Sequence, residues 1–175
     1  MLTADQIQIE RSEGNIVIEP WDERCLGPNS YDIHLGDELL IYTSIILDTR
    51  SQNKTELLKI PPEGIVLEPD RLYLGKTVEY TESHNLVPMC EGRSSVGRLG
   101  ICIHETAGFG DIGFKGRWTL EISVKQLTRV YAGDKIGQLY WHRPDGRILK
   151  TYSGKYQDSQ TVKASEMWRD YEKAR

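Results

Sequence analysis

No apolar run in this 175-residue sequence approaches the about 20 residues that a membrane-spanning helix needs. The first residues, "MLTADQIQIERSEG", have neither a basic nor an apolar leader segment, so no secretory signal and no membrane partner are expected. Cysteine is scarce. Cys25, Cys90 and Cys102 are odd in number and scattered, which predicts structural thiols in a reducing compartment, by default the cytoplasm. Positive charge is not in excess: 22 Lys and Arg against 26 Asp and Glu give a formal net charge of -4. That argues against a nucleic-acid coat or a polybasic membrane binder. Zinc-ligand spacing is missing too. His34, His84, His104 and His142 are spread out, with no Cys-x-x-Cys and no His-Glu-x-x-His, so they read as structural or surface residues and no zinc is expected. There is no Gly-Lys-Ser/Thr phosphate loop of the Walker type, no repeat and no low-complexity segment.

What is present suits a single domain over residues 1–175 with a real core. "TADQIQIERSE" predicts a short N-terminal helix, with Thr3 as N-cap, Gln6 at the capping-box position and Gly14 as stop. After it the chain reads as mostly β. Short runs between turn residues, "NIVIEP", "SYDIHLGDELLIY", "SIILD", "GIVLEP", "RLYLGKTVEY", "GICIHE", "RWTLEISV" and "KIGQLYW", predict a barrel or sandwich. Residues 83–98 lack strand alternation and include a candidate helical turn. "VKASEMWRDYEKAR" reads as a frayed terminal helix or a tail.

Two stretches carry candidate chemistry. In "RWTLEISV", alternation puts Trp118, Leu120, Ile122 and Val124 on one face and Arg117, Thr119, Glu121 and Ser123 on the other. Glu121 is then either a solvent-facing glutamate or a carboxylate facing a polar cavity, where it can shuttle protons. In "RSSVGR", a helical turn brings Ser94 and Arg98 to one face. Serine hydroxyls, guanidiniums and free N–H groups suit a phosphate, although an arginine pair in surface salt bridges with a serine cap fits the spacing equally. The loop "TAGFGDIGFKG" holds Gly108, Gly110, Gly113 and Gly116, with Asp111-Ile112-Gly113 as a tight turn.

The stretch "EGRSSVGRLGICIHETAGFGDIGFKGRWTLEI" closely resembles the dCTP deaminase family, a branch of the trimeric dUTPase superfamily. "GPNSYDIHLGDELLIY" is similar to that family's Pro-x-Ser-Tyr-Asp segment, "AGDKIGQLYW" to its late strand, and "YSGKYQ" to its C-terminal phosphate-binding tail, which would begin at about residue 150. The resemblance implies a distorted, dUTPase-like β barrel assembled as a homotrimer, with active sites between subunits. Glu121 matches the deaminase acid/base, and Ser94 and Arg98 match residues that position its water. The main chain around Thr106 and Ala107 would complete the water site. Arg93, Ser95, Tyr152 and Lys155 match triphosphate contacts, with Val96 and Gly97 in the same binding turn. Gln138 matches a nucleotide contact, and Thr119 with Leu120 would lie along the base.

Asp111 matches the dUTPase base that activates water at the α-phosphate, and Phe114 the ring under the deoxyribose. Gly108-Phe109 after Thr106-Ala107 is similar to the dUMP-forming, bifunctional type, whereas deaminases that stop at dUTP tend to have His there. The resemblance therefore implies conversion of dCTP to dUMP, ammonia and pyrophosphate. A deaminase giving dUTP, a plain dUTPase and a non-catalytic nucleotide-sensing trimer are the alternatives. Mg²⁺ would sit on the triphosphate rather than in a protein cage. Feedback inhibition by dTTP is known in the family. Three residues depart from the pattern: Gly110 replaces Ile, Ile112 replaces Pro or Ala, and Ser159 stands where Gln usually contacts phosphate, with Gln160 next to it.

Overall fold

The computed structural model describes residues 1–172. Helix α1 (Ala4–Ser12) leads to β1 (Ile16–Glu19), a 3-10 turn (Glu23–Cys25) and the long strand β2 (Tyr31–Tyr42). Strands β3 (Thr55–Lys59), β4 (Ile65–Leu67), β5 (Tyr73–Ser83) and β6 (Val87–Gly92) follow. Helix α2 (Ser94–Arg98) precedes β7 (Ile101–Cys102), β8 (Lys115–Val124), β9 (Thr128–Val130), β10 (Lys135–His142) and a last helical turn, α3 (Arg169–Glu172). None of these helices is long and apolar enough to cross a membrane.

Eight strands form one sheet along the path β6-β10-β2-β5-β8-β7, with β1 added to β5 and β3 to β2; β4 and β9 make a separate ribbon. The two ends of the path, β6 and β7, are joined in sequence by α2. The segment after β7 then stitches the ends together. Ile103 O accepts from Glu121 N at 2.9 Å, Gly108 O from Cys90 N at 2.7 Å, and Gly110 N donates to Pro88 O at 2.9 Å. The strip nearly closes as a distorted, mainly β barrel with a short N-terminal helix, as the sequence predicts. Its interior is filled by the inward positions of each strand, among them Tyr31, Ile33, Leu35, Leu39, Leu120, Ile122, Leu139 and Trp141, all 2% exposed or less.

Several expectations are corrected. "SIILD" is not a strand. Tyr42 pairs with Thr55, so residues 44–53 form the crest of the β2–β3 hairpin, and Ile45 and Ile46 stand in solvent. Residues 83–98 hold a strand, β6, before the helical turn, and β3 and β9 are further strands that alternation did not reveal. The capping box at α1 does not form: Thr3 is extended but its hydroxyl makes no cap bond, and Gln6 Nε2 donates to Glu10 instead. Gly14 does take the left-handed conformation that ends the helix, at φ +76°. The terminal helix is only Arg169–Glu172, and residues 173–175 of the expected tail lie outside the described residues.

Candidate active site

Strand β8 follows the alternation read from its sequence: Trp118, Leu120, Ile122 and Val124 are buried, while Arg117, Thr119, Glu121 and Ser123 are half-exposed. Its start is fixed at a bulge in the β5 pairing. The Thr77 hydroxyl accepts from Trp118 N, and Trp118 Nε1 donates to the Thr81 hydroxyl, both at 3.0 Å. Further along, Glu121 lies in register with Leu74 on one side and gives its N–H to Ile103 on the other. Its Oε2 accepts the N–H of Glu105 at 2.9 Å. The carboxylate is thereby oriented by one amide, and Oε1 has no protein partner among the described residues. Past Glu121 the polar face runs on to Ser123, into a cleft of about 480 Å³ that Glu105, Lys125, Asp70 and Arg71 also line.

Antiparallel ladder groups alternate sides. Because Glu121 bonds outward to Ile103, Leu120 and Ile122 turn their main-chain groups to β5, and Thr119 turns its groups outward. On that outer edge Arg117 N donates to Ser159 O at 2.8 Å, and Lys163 N donates to the Thr119 hydroxyl at 3.3 Å. The main chain of Thr119 therefore faces a gap between the 103–105 segment and the tail. Leu120 backs this point from the core and is 2% exposed.

The glycine-rich loop is tightly placed. A Cβ on Gly108 would stand 2.6 Å from Cys90 O, and one on Gly110 2.5 Å from the Trp118 ring and 2.9 Å from Pro88. Glycine at 110, the departure from the family's Ile, is what this close approach requires. Asp111 to Phe114 is the expected tight turn: Phe114 N donates to Asp111 O at 3.2 Å, and Gly113 has φ +87°. The Asp111 side chain is exposed, and so is Ala107. Phe114 sits between Trp118, with ring centroids 5.2 Å apart, and Tyr152, at 5.9 Å edge-on.

Helix α2 starts from an extended Arg93 and exposes Ser94, Ser95, Gly97 and Arg98, while Val96 anchors it in the core. Among the described residues no hydrogen bond joins Ser94 or Arg98 to Glu121. Arg93 is held by Asp32, Nε to Oδ1 at 3.0 Å, and Lys135 Nζ reaches Asp32 Oδ2 at 3.2 Å. Gln138 is half-buried and lies directly between Asp32 of β2 and Glu91 of β6. The sequence assigned Asp32, Lys135 and Glu105 no role: all three stand in stretches that resemble the family, but ion pairs between distant strands and a main-chain amide leave no trace in side-chain pattern.

The tail lies along the outer edge of β8. Tyr152 N donates to Ile112 O at 2.7 Å, Asp158 N to Lys115 O at 2.8 Å, and Gln157 bonds both Lys115 N and Gly113 O. Ser159 is 4% exposed and its hydroxyl donates to Thr161 O, so it serves the tail's own fold, whereas Gln160 is exposed. Lys155 pairs with Asp170 at 2.6 Å, and that carboxylate raises its pKa.

A family model for dCTP deaminase-like domains matches residues 1–143. The chain belongs to the dCTP deaminase-like family. It is 52% identical over 173 residues to a protein of Leptospira biflexa named "dCTP deaminase, dUMP-forming", covering 99% of each chain. It is 53% identical over 165 residues to a protein of the same name from Clostridium acetobutylicum, covering 94% of this chain and 95% of that one. Its fold is similar to the crystal structure of 2′-deoxycytidine 5′-triphosphate deaminase from Agrobacterium tumefaciens, with a TM-score of 0.63 and 20% identity over 82% of this chain. The match spans 47% of that longer protein.

Proposed function

We propose that this protein hydrolytically deaminates dCTP and then releases pyrophosphate, so that dCTP and two waters give dUMP, ammonia and pyrophosphate. The observation that carries the reading is the setting of Glu121. Its carboxylate is half-exposed beside the open main chain of Thr119, with one oxygen fixed by the Glu105 N–H and the other free of protein. A cytosine laid along that edge meets main-chain donors and acceptors and a carboxyl within one strand. The names of the relatives that match the whole chain point the same way.

In the deamination, Glu121 gives a proton to cytosine N3 and takes one from water as the water oxygen bonds to C4. It then protonates the amine, the C4–N bond breaks, and ammonia leaves. The C4 hydroxyl returns a proton to Glu121 as the carbonyl forms, which restores the starting carboxyl. Ser94 and Arg98 hold the attacking water. In the second step Asp111 takes a proton from a second water, whose oxygen bonds to the α-phosphorus while the bond to the bridging oxygen breaks. Phe114 supports the deoxyribose, and Arg93, Ser95, Tyr152, Lys155 and Gln160 receive the phosphates. Mg²⁺ is proposed to arrive on the triphosphate. Among the described residues no three His, Cys, Asp or Glu side chains group as a cage, and no step here runs through a metal.

The proposed assembly is a homotrimer with sites between subunits, and dTTP is proposed to inhibit at the same site. Two features support a shared site. Ser94 and Arg98 are exposed and make no hydrogen bond to Glu121 among the described residues, and Leu99, next to Arg98 in sequence, is 65% exposed. The decisive experiment is an early time course with dCTP and Mg²⁺, resolving nucleotides by anion exchange. Pyrophosphate and dUMP should rise together with ammonia, with little free dUTP. Stable dUTP without pyrophosphate overturns the coupled reaction, and absence of ammonia overturns the deaminase.

A further inference from the structure

We propose that Asp32 is a positioning residue for the phosphate end of the site: it anchors Arg93 at Nε and, balanced by Lys135, leaves the outer edge of that guanidinium open to an anion. The inference rests on the nucleotide reading above, because it takes Arg93 as a triphosphate contact.

Asp32 lies in β2 directly opposite Gln138 of β10, which lies opposite Glu91 of β6. Residues paired this way share a face, so the three form one polar row across three strands. Each end of the row holds a group from outside it. Glu91 Oε2 meets His104 Nε2 at 3.0 Å, at the root of the loop whose Glu105 amide orients Glu121. Asp32 meets Arg93 and Lys135. Within one subunit the row therefore links the loop that orients Glu121 to the trio around Arg93.

A guanidinium has five N–H donors in a planar fork. Arg93 Nε stands 3.0 Å from Asp32 Oδ1 as an ion pair, and the Nη donors have no protein acceptor among the described residues. The ion pair restrains the guanidinium on its Nε side, and its terminal pair of N–H groups suits two oxygens of one phosphate. An Asp32–Arg93 pair alone would cancel the attraction for an anion. Lys135 on Oδ2 prevents this, because the trio keeps one net positive charge. The hydrogen bond to Asp32 also raises the Lys135 pKa, which secures its charge. Asp32 is 18% exposed at its side chain, so the anchor is well shielded from bulk water.

A salt bridge that merely ties strands together would contribute to stability alone. The two roles separate in a binding experiment that needs no turnover. In a Glu121→Gln parent, dCTP and dCMP affinities are measured by calorimetry for Asp32→Asn, Arg93→Ala, the pair, and Lys135→Met. Asp32→Asn should weaken dCTP about tenfold and dCMP less than about twofold, as expected for losing a charge-assisted contact to the outer phosphates. Added to Arg93→Ala, it should change dCTP affinity no further. Lys135→Met should also weaken dCTP and spare dCMP, and it carries the test if Asp32→Asn does not fold. In the active enzyme, Asp32→Asn should raise KM with kcat within about twofold. Equal loss for both nucleotides, an undiminished effect in Arg93→Ala, or a lowered melting temperature with unchanged affinity overturns the positioning role. A parent that binds neither nucleotide overturns the nucleotide reading itself.

Discussion

Glu121 combines three properties that few glutamates share: a strand position on the polar face, an amide donor on one oxygen and an open second oxygen. Replacing it with Gln keeps the shape and the bond from Glu105 but removes the proton shuttle. Ammonia release from dCTP should fall by about 10²-fold or more in Glu121→Gln, measured at saturating substrate with the melting temperature as a check on folding. Near-normal release would refute the role. Asp111 is a different case, since it is exposed on a turn and among the described residues no hydrogen bond or ion pair holds its carboxylate. The turn is held instead, by Phe114 N on Asp111 O and Gly113 N on Ser83 O at 2.6 Å. Asp111→Asn should therefore fold normally and slow pyrophosphate release by about 10² or more, because an amide cannot take the proton from water. Free dUTP should build up in this variant, and dUMP at the wild-type rate would remove Asp111 from the second step. At this scale the sequence was informative wherever a side chain's place depends on a local period, as from Arg117 to Val124. It was silent on partners supplied by distant main chain.

At the level of elements, the loop from Ile103 to Gly116 does two jobs: it closes the barrel between β8 and β6, and it presents the groups proposed for catalysis. The first job constrains the second. Gly108 is bonded to Cys90 N through its carbonyl, and a Cβ there would lie 2.6 Å from Cys90 O and 3.1 Å from His104 Nε2. Backbone cannot yield as a flexible side chain does, so Gly108→Ala must move the loop. It should destabilise the fold by about 1–3 kcal/mol, lowering the melting temperature by roughly 2–4 °C per kcal/mol, and deamination should drop with it. A variant that melts like the wild type would show that the loop has slack. The elements that escaped sequence reading have physical reasons. Strand β6 contains Pro88, and proline demotes a run that otherwise reads as strand. "SIILD" has strand composition but no neighbour to pair with, because the Asp48–Asn53 turn bonds place it at a hairpin crest. The capping box has the right residue types, yet Gln6 finds a better acceptor in Glu10, a buried carboxylate that also holds Arg143 at 2.6 Å. Composition announces a strand or cap; the available partner decides it.

For the whole molecule, under the shared-site proposal one subunit offers half a site at each place. Glu121, Thr119, Asp111 and Phe114 stand along β8 and its leading loop, while Ser94, Arg98 and the Asp32–Arg93–Lys135 trio stand on α2 and the sheet beside it. A single sequence announces both halves, but no pattern in it reports whether one chain or two supply them, since symmetry leaves no local signature. The protein offers no zinc-ligand spacing in its sequence, so elemental analysis of the purified enzyme should find no stoichiometric zinc; one tightly bound zinc per chain would refute this. The shared-site reading makes a stronger demand. Arg98→Ala should be inactive through its water, and Glu121→Gln through its proton shuttle, yet each retains the half that the other lacks. Unfolded together and refolded, the two chains should form mixed trimers in which an intact Glu121 meets an intact Arg98. Random mixing leaves a substantial share of such sites, so deamination should return to a readily measured fraction of the wild-type rate, while each variant refolded alone stays inactive. Mass spectrometry of intact trimers establishes that mixing took place. Mixed trimers with no activity above that of the parents would mean that each chain builds its site alone, and that Ser94 and Arg98 reach Glu121 within one subunit by a movement of α2.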